Sequence, residues 1–268
     1  MSVTHISQTD IAKWDPELTR RLMGIMRPLA KRWHRSEVRG LELIPPGGSL
    51  VVSNHSGGVI AMDVPVFAVD FYEKFGYDRP LYTLSHDLLF HTPAAELVMR
   101  IGFIPATRDN AATALRAGAV VIVFPGGPDD AYRPTAQANT IDFRGRTGYV
   151  KTALAAGVPI VPAVSIGGQE SQLFLSRGTW LAHLLRLDKL ARLTILPLSV
   201  GFPFGLSIGL PLNLPAPTKI VTKVLDPIDI VAQFGEDPDP VDVDNHVRSV
   251  MQNALDKLAA TRRFPILG

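Results

Sequence analysis

Cysteine is absent from the 268 residues. Disulfide staples, thiolate nucleophiles and cysteine–zinc sites are therefore excluded, and a reducing compartment is permitted. Charge is sparse as well: 19% of residues are Asp, Glu, Lys or Arg, and they nearly cancel to a net +2. With 46% hydrophobic residues, the chain lacks the low hydrophobicity and high net charge that keep a sequence disordered. Familiar signatures are missing too. There is no G-x-x-x-x-G-K-[ST] and no G-x-G-x-x-G; a G-x-S-x-G elbow is lacking, and His86 and His91 do not form H-E-x-x-H. The opening MSVTHISQTDIAKWDPELTRR has no apolar core followed by a cleavage site, so it does not read as a secretory signal. No repeat, low-complexity tract or linker divides the chain. At this length about three quarters of the unfolded surface is buried on folding, enough for one large core.

What is present alternates between strand and helix. Ser49–Ser53, Pro80–Leu84, Gly102–Ala106, Ala119–Phe124 and Ile160–Ile166 read as short strands, and AVVIVF at 119–124 is a β-branched run of the kind buried on both faces. Val64–Lys74, Leu88–Ile101 (interrupted near Thr92-Pro93), Asn110–Ala117 and Gly148–Ala156 read as helices. Lys219–Leu225 alternates like an edge strand, and Val241–Thr261 gives a C-terminal amphipathic helix after an acidic loop. This order predicts a single α/β domain with a mixed, mostly parallel sheet flanked by helices. It divides into a basic helical segment at 14–38, an α/β core at 39–225, and the acidic loop with its helix at 226–268.

Two stretches stand out. From Arg20 to Arg39 seven basic residues face one acid, Glu37, with Leu22, Ile25, Met26, Leu29 and Trp33 interleaved. This is a basic amphipathic helix bent at Pro28, which has no N–H to donate. It either lies on an anionic membrane or packs on the core with a solvated basic face. Leu193–Pro217 contains no charged residue, yet its prolines and glycines would break a membrane-spanning helix repeatedly. It reads as an apolar cavity lining, as ordinary core, or as a surface dipping into one leaflet with Leu206, Ile208 and Leu210.

Candidate chemistry gathers after the strands. His55 follows a buried strand within Asn54-His55-Ser56-Gly57-Gly58, where glycines let a ligand approach and free backbone N–H donors. Asp63, eight residues on at the head of a helix, can fold back to orient the imidazole. Arg108 sits where a strand gives way to a helix, a good clamp for phosphate or carboxylate, or else a partner for Asp109 or Asp130. Gly126-Gly127 follows the strongest strand, where ligand crevices of open α/β sheets lie. Asp129 and Asp130 come next; no third oxygen ligand is at metal spacing, which favours a structural or substrate-hydroxyl role over a metal.

Asn54-His55-Ser56-Gly57-Gly58, the Gly102–Asn110 block, Phe124-Pro125-Gly126-Gly127 and Val158-Pro159-Ile160-Val161-Pro162 resemble, in order, the four blocks of the glycerolipid acyltransferases. The likeness is greater to the branch resembling monoacylglycerol and diacylglycerol acyltransferases, whose third block reads F-P-G-G. The general family has His-x4-Asp, but position 60 here is Ile60, so Asp63 takes the acid's place by inference. Where the phosphate-acceptor enzymes carry F-P-E-G, this chain has Gly126, which leaves neutral or larger lipid alcohols open. The resemblance implies an O-acyltransferase moving a fatty acyl group from acyl-CoA or acyl carrier protein, as co-substrate, to a lipid alcohol. His55 would be the general base and Asp63 its orienting acid. The substrate-binding set is Asn54, Ser56, Gly57, Gly58, Thr107, Arg108, Gly126, Gly127 and Asp130. No metal, bound cofactor or nucleic acid is expected; an anionic membrane on the inner face of the plasma membrane is. A lipid esterase using Ser56, or a non-catalytic lipid-binding protein, remain the alternatives.

Overall fold

A computed structural model describes residues 13–58, 61–190, 194–209, 213–262 and 264, with the side chains at 188 and 190 left aside. The first twelve residues, Ile60 and Leu210 thus lie outside the described residues. The main sheet has seven strands: β1 (Glu37–Arg39), β2 (Ser49–Ser53), β3 (Leu81–Ser85), β4 (Phe103–Pro105), β5 (Val120–Val123), β6 (Ile160–Ile166) and β10 (Val221–Val224), in the order β1-β10-β6-β2-β5-β3-β4. The five strands from β6 to β4 are parallel to their neighbours, whereas β10 runs antiparallel to β6 and parallel to β1. This is the mixed, mostly parallel sheet expected.

Why these runs are continuously apolar is visible strand by strand. Leu50 and Val52, Val121, and Val164 point into one core, while Val51, Val120 and Ile122, and Val161 point into the other. Both faces are covered, so alternation places two different apolar sets rather than one apolar and one polar set. Helices α2 (Asp63–Phe75), α3 (Ala95–Arg100), α4 (Arg108–Arg116), α6 (Gly148–Ala156) and α10 (Pro240–Thr261) connect or cover the strands, with the short α5 (Gly127–Ala131) after β5 and α9 (Ile230–Phe234) before α10.

The basic segment forms α1 (Pro16–Pro28), started by Asp15, whose carboxylate accepts the N–H groups of Glu17 and Leu18. Pro28 ends the α-helical pattern without ending the helix: residues Leu29–Trp33 make a π-helical turn, closed by the His34 N–H on Leu29 O at 3.1 Å. The apolar side of α1 packs inward through Met23, Leu22, Met26 and Leu29. Arg20 and Arg21 pair with Glu17, Arg27 with Glu73 and Lys31 with Asp70. The helix thus packs on the core through one side and carries its charged residues on the outside.

Two expectations need correction. Lys219–Leu225 is not an edge strand: β10 lies second in the sheet, and the edge is β1, within the segment read as helical to residue 38. Three residues are too short to show a strand period in sequence. Within its described residues, 194–209 and 213–217, the uncharged run is mostly surface rather than core. It supplies β8 (Leu198–Gly201) and β9 (Gly205–Ile208), which join β7 (Leu173–Ser176) in a separate three-stranded antiparallel sheet. Two short helices, α7 (Thr179–Leu184) and α8 (Leu187–Leu190), connect β7 to β8. Among the described residues no helix is long and apolar enough to cross a membrane.

Candidate active site

The carboxyl ends of β2, β3, β4 and β5 open on one edge of the sheet, and the singled-out residues converge there. Asn54 leaves β2 and is buried. Its amide donates to Ser165 O and accepts the Ser165 N–H, both at 2.8 Å, tying the end of β2 to β6. The next residue, His55, is held by its backbone: its N–H donates to Asp130 Oδ2 at 2.6 Å. Asp130 is itself buried and ion-paired with buried Arg133.

The imidazole is held by the head of α2. Asp63 Oδ2 lies 2.8 Å from His55 Nδ1 and accepts the Ser56 N–H at 2.9 Å, and Oδ1 accepts the Val64 N–H at 3.0 Å. A carboxylate with three such contacts, only 3% exposed, fixes Nδ1 as the nitrogen facing it and leaves Nε2 for whatever enters. The ring of Phe124 lies against the imidazole, tilted by 32° with centroids 4.4 Å apart.

His55 faces a cleft of about 620 Å³ walled mainly by Val64, Pro65, Leu84, Leu89, Val98, Phe103, Phe124 and Tyr132. Gly58 and Gly127 complete the wall. Gly57 and Gly58 have φ of 88° and 66°, where side chains are disfavoured. A Cβ on Gly58 would also stand 2.6 Å from the Phe174 ring. Val64, Pro65, Thr83 and Phe103 are shared with a smaller cavity of about 150 Å³ roofed by Leu22, Met23 and Met26 of α1. The roof explains what the apolar side of the basic helix is for.

On the other side of Phe124 a pocket of about 270 Å³ holds two guanidinium groups, Arg108 and Arg146. Thr107 caps α4 by accepting the Asn110 N–H at 3.2 Å, which puts Arg108 at the first helical position, exposed and without a carboxylate partner among the described residues. Arg146 donates to Gly126 O at 2.6 Å and to Asp129 Oδ2 at 2.6 Å, clamping the F-P-G-G turn. Among the described residues no three His, Asp or Glu side chains are grouped to hold a metal ion.

The structure thus brings His55, Gly58 and Gly127 to the cleft, with Asp63 buried behind the imidazole, and Thr107 and Arg108 to the neighbouring pocket. Gly57, with its positive φ, lets the chain turn after His55 and lines neither space. Asn54, Ser56 and Asp130 are not placed to meet a substrate: each is buried and lines neither space. Asn54 serves β6, Asp130 serves the His55 backbone, and Ser56 Oγ is packed against Gly168. Gly126 has its carbonyl engaged by Arg146, and the Gly127 N–H donates to Phe124 O at 3.0 Å. Arg133, Arg146 and Tyr132 were not legible as site residues. Only the spacing of Arg133, three after Asp130 on a helical turn, carried a signal.

Residues 35–166 match the family model described as Acyltransferase. An uncharacterized Mycobacterium tuberculosis protein is 31% identical over 91% of this chain and 68% of its own length. The chain belongs to the acyltransferase family. This acyltransferase is also similar to the "DGAT1/2-independent enzyme synthesizing storage lipids" of Mus musculus, 27% identical over 72% of this chain and 56% of that one. In fold it is similar to the 1-acyl-sn-glycerophosphate acyltransferase PlsC of Thermotoga maritima, with a TM-score of 0.52, 18% identity, and coverage of 90% of this chain and 81% of the other. It is an enzyme that transfers acyl groups, of the glycerolipid type. The matched span holds every residue that lines the His55 cleft.

Proposed function

We propose that this acyltransferase moves a fatty acyl group from acyl-CoA or acyl carrier protein to the hydroxyl of a lipid alcohol, with His55 as general base. The observation that carries the reading is the 2.8 Å contact between Asp63 and His55 Nδ1 beside an apolar cleft. His55 Nε2 takes the acceptor's hydroxyl proton as its oxygen attacks the thioester carbonyl. Asp63 stabilises the imidazolium that results, and the amides of Gly57 and Gly58 are the nearest candidates for the oxyanion. Collapse of the tetrahedral intermediate breaks the C–S bond, and the departing thiolate takes the proton back from His55. The cleft and its extension beneath α1 suit the acyl chains, and Arg108 suits a phosphate of the carrier or acceptor. No metal, bound cofactor or covalent enzyme intermediate is needed; the buried Ser56 hydroxyl speaks against an esterase nucleophile. The enzyme works as a peripheral protein on the inner face of the plasma membrane, where intracellular thioesters meet lipid acceptors.

The test is free-thiol release from acyl-CoA and from acyl carrier protein across a panel of lipid alcohols. A positioned base contributes about 10²–10⁴-fold, so His55→Ala should lose activity on that scale while melting like the parent. Full turnover by His55→Ala would sink the mechanism.

A further inference from the structure

The small sheet has two unlike faces. Inward, Phe174 and Ser199 are buried, and Phe174 meets Tyr132 edge-on at 5.6 Å, so this face backs the wall of the His55 cleft. Outward, the register aligns Leu173, Val200 and Leu206 in one row and pairs Leu198 with Ile208 in the next. Leu206 is 71% exposed and Ile208 62%. A one-sided antiparallel sheet normally turns its polar side chains to water; here a serine faces in and the leucines face out. The β8–β9 turn adds Phe202, 74% exposed, and Phe204. Apolar surface concentrated in this way marks an interaction site.

Its surroundings say what it meets. Between Gln172 and Thr218 the sequence has four Arg and Lys residues against one acid, Asp188. Exposed Arg186, between α7 and α8, and exposed Lys189, in α8, lie on the β7–β8 connection at one end, as does exposed Trp180 in α7. At the other end Trp33 donates to Pro215 O at 2.9 Å and Arg35 to Pro217 O at 2.8 Å, next to exposed Arg32. Leu214 links this joint to the hairpin through its N–H on Phe202 O at 2.8 Å. An apolar centre with tryptophans and cations at its margins matches an anionic bilayer: side chains enter the acyl boundary, indoles sit at headgroup level, and Arg and Lys meet phosphates. Backbone polar groups within β8 are already paired on both sides, which lowers the cost of shallow burial.

We propose that the outer face of β7–β8–β9, with the Phe202–Phe204 turn, docks the protein on an anionic lipid bilayer. The anchor is this sheet and not α1, whose apolar side is used inside. Docking there sets the His55 cleft about one sheet layer, ~10 Å, from the lipid. Binding alone reads out the proposal, so it stands or falls separately from the acyl-transfer reading.

The experiment is flotation of the full chain with vesicles of phosphatidylcholine, alone or mixed with phosphatidylglycerol, at low and high salt. The parent should bind the mixed vesicles, more weakly as salt rises, with a blue shift of tryptophan emission. The double variants Phe202→Ser/Phe204→Ser and Leu206→Gln/Ile208→Gln should each weaken binding about tenfold or more. Ile25→Gln, on the outer side of α1, should leave it unchanged. Melting temperatures check that the variants fold. Should one not fold, quenching of parent tryptophan emission by brominated lipid provides the second measurement, and no quenching overturns the proposal. Undiminished binding by both double variants, or equal binding to neutral vesicles at every salt concentration, overturns it. So does a parent dimer that the same substitutions dissociate without any vesicle binding, which would make the face an interface between copies.

Discussion

Gly126 shows how a missing side chain can organise a site. A Cβ there would stand 2.4 Å from Asp130 Cβ and 2.9 Å from its Oδ2. The glycine therefore makes room for the carboxylate that holds the His55 N–H. A glutamate at this position, as in the F-P-E-G pattern, is incompatible with Asp130 where it stands. Gly126→Ala should cost about 1–3 kcal/mol through overpacking and lower turnover as Asp130 is pushed from His55, read by thermal melting and thiol release. Arg108 makes a contrasting prediction. Lysine keeps the charge but loses the planar fork, so Arg108→Lys should raise KM for the phosphate-bearing substrate more than it lowers kcat. Unchanged kinetics in both Arg108→Lys and Arg108→Ala would remove it from the site. The Asp63–His55 contact was legible because strand end and helix head are eight residues apart. The fixed partners of Asn54 and His55 were not, because Ser165 and Asp130 are 111 and 75 residues away.

Among elements, legibility followed length and burial. Helix α6 and strands β2 and β6 match their sequence readings to the residue, since each is a largely apolar run with a glycine or turn as its stop. β1 and β7 escaped notice: β1 has three residues, and β7 turns leucines outward, against the usual pattern. The joint between the end of α1 and residues 215–221 was also hidden. His34 is its centre, fully buried, with Nδ1 3.1 Å from Thr218 O and Nε2 without a partner. The neutral ring donates through Nδ1; protonation would bury an N–H with no acceptor. Burial therefore pushes the His34 pKa below the usual 6.5. The unfolded chain binds this proton first, so the His34 contribution is complete above pH 6.5 and declines as pH falls towards the lower folded value. Melting temperature should drop over that window in the parent and drop less steeply in His34→Gln. Parallel slopes would assign the acid sensitivity to other groups.

For the molecule as a whole, the parallel core was readable because helix and strand alternate through it, and the four sequence blocks fall at its strand ends. The flanking arrangement was not readable, because it depends on pairings between distant segments. Glu37 pairs with Val221, and His34 bonds Thr218 across 184 residues. That separation has a consequence for biosynthesis. At 5–20 residues per second, the helix and edge strand emerge about 10–40 s before the segment they dock against exists. For the last part of that interval, the about 3–11 s between the synthesis of β6 and that of β10, the flank of β6 that β10 later covers is an open template for another nascent chain. A chain stopped at Thr218 retains the five parallel strands but lacks β10 and α10, leaving that flank and one face of the sheet uncovered, and it should pellet on translation where the full chain stays in the supernatant. Ribosome-bound copies are thus the most vulnerable form of this protein, and a chaperone that shields strand edges should raise its yield more than one that waits for release.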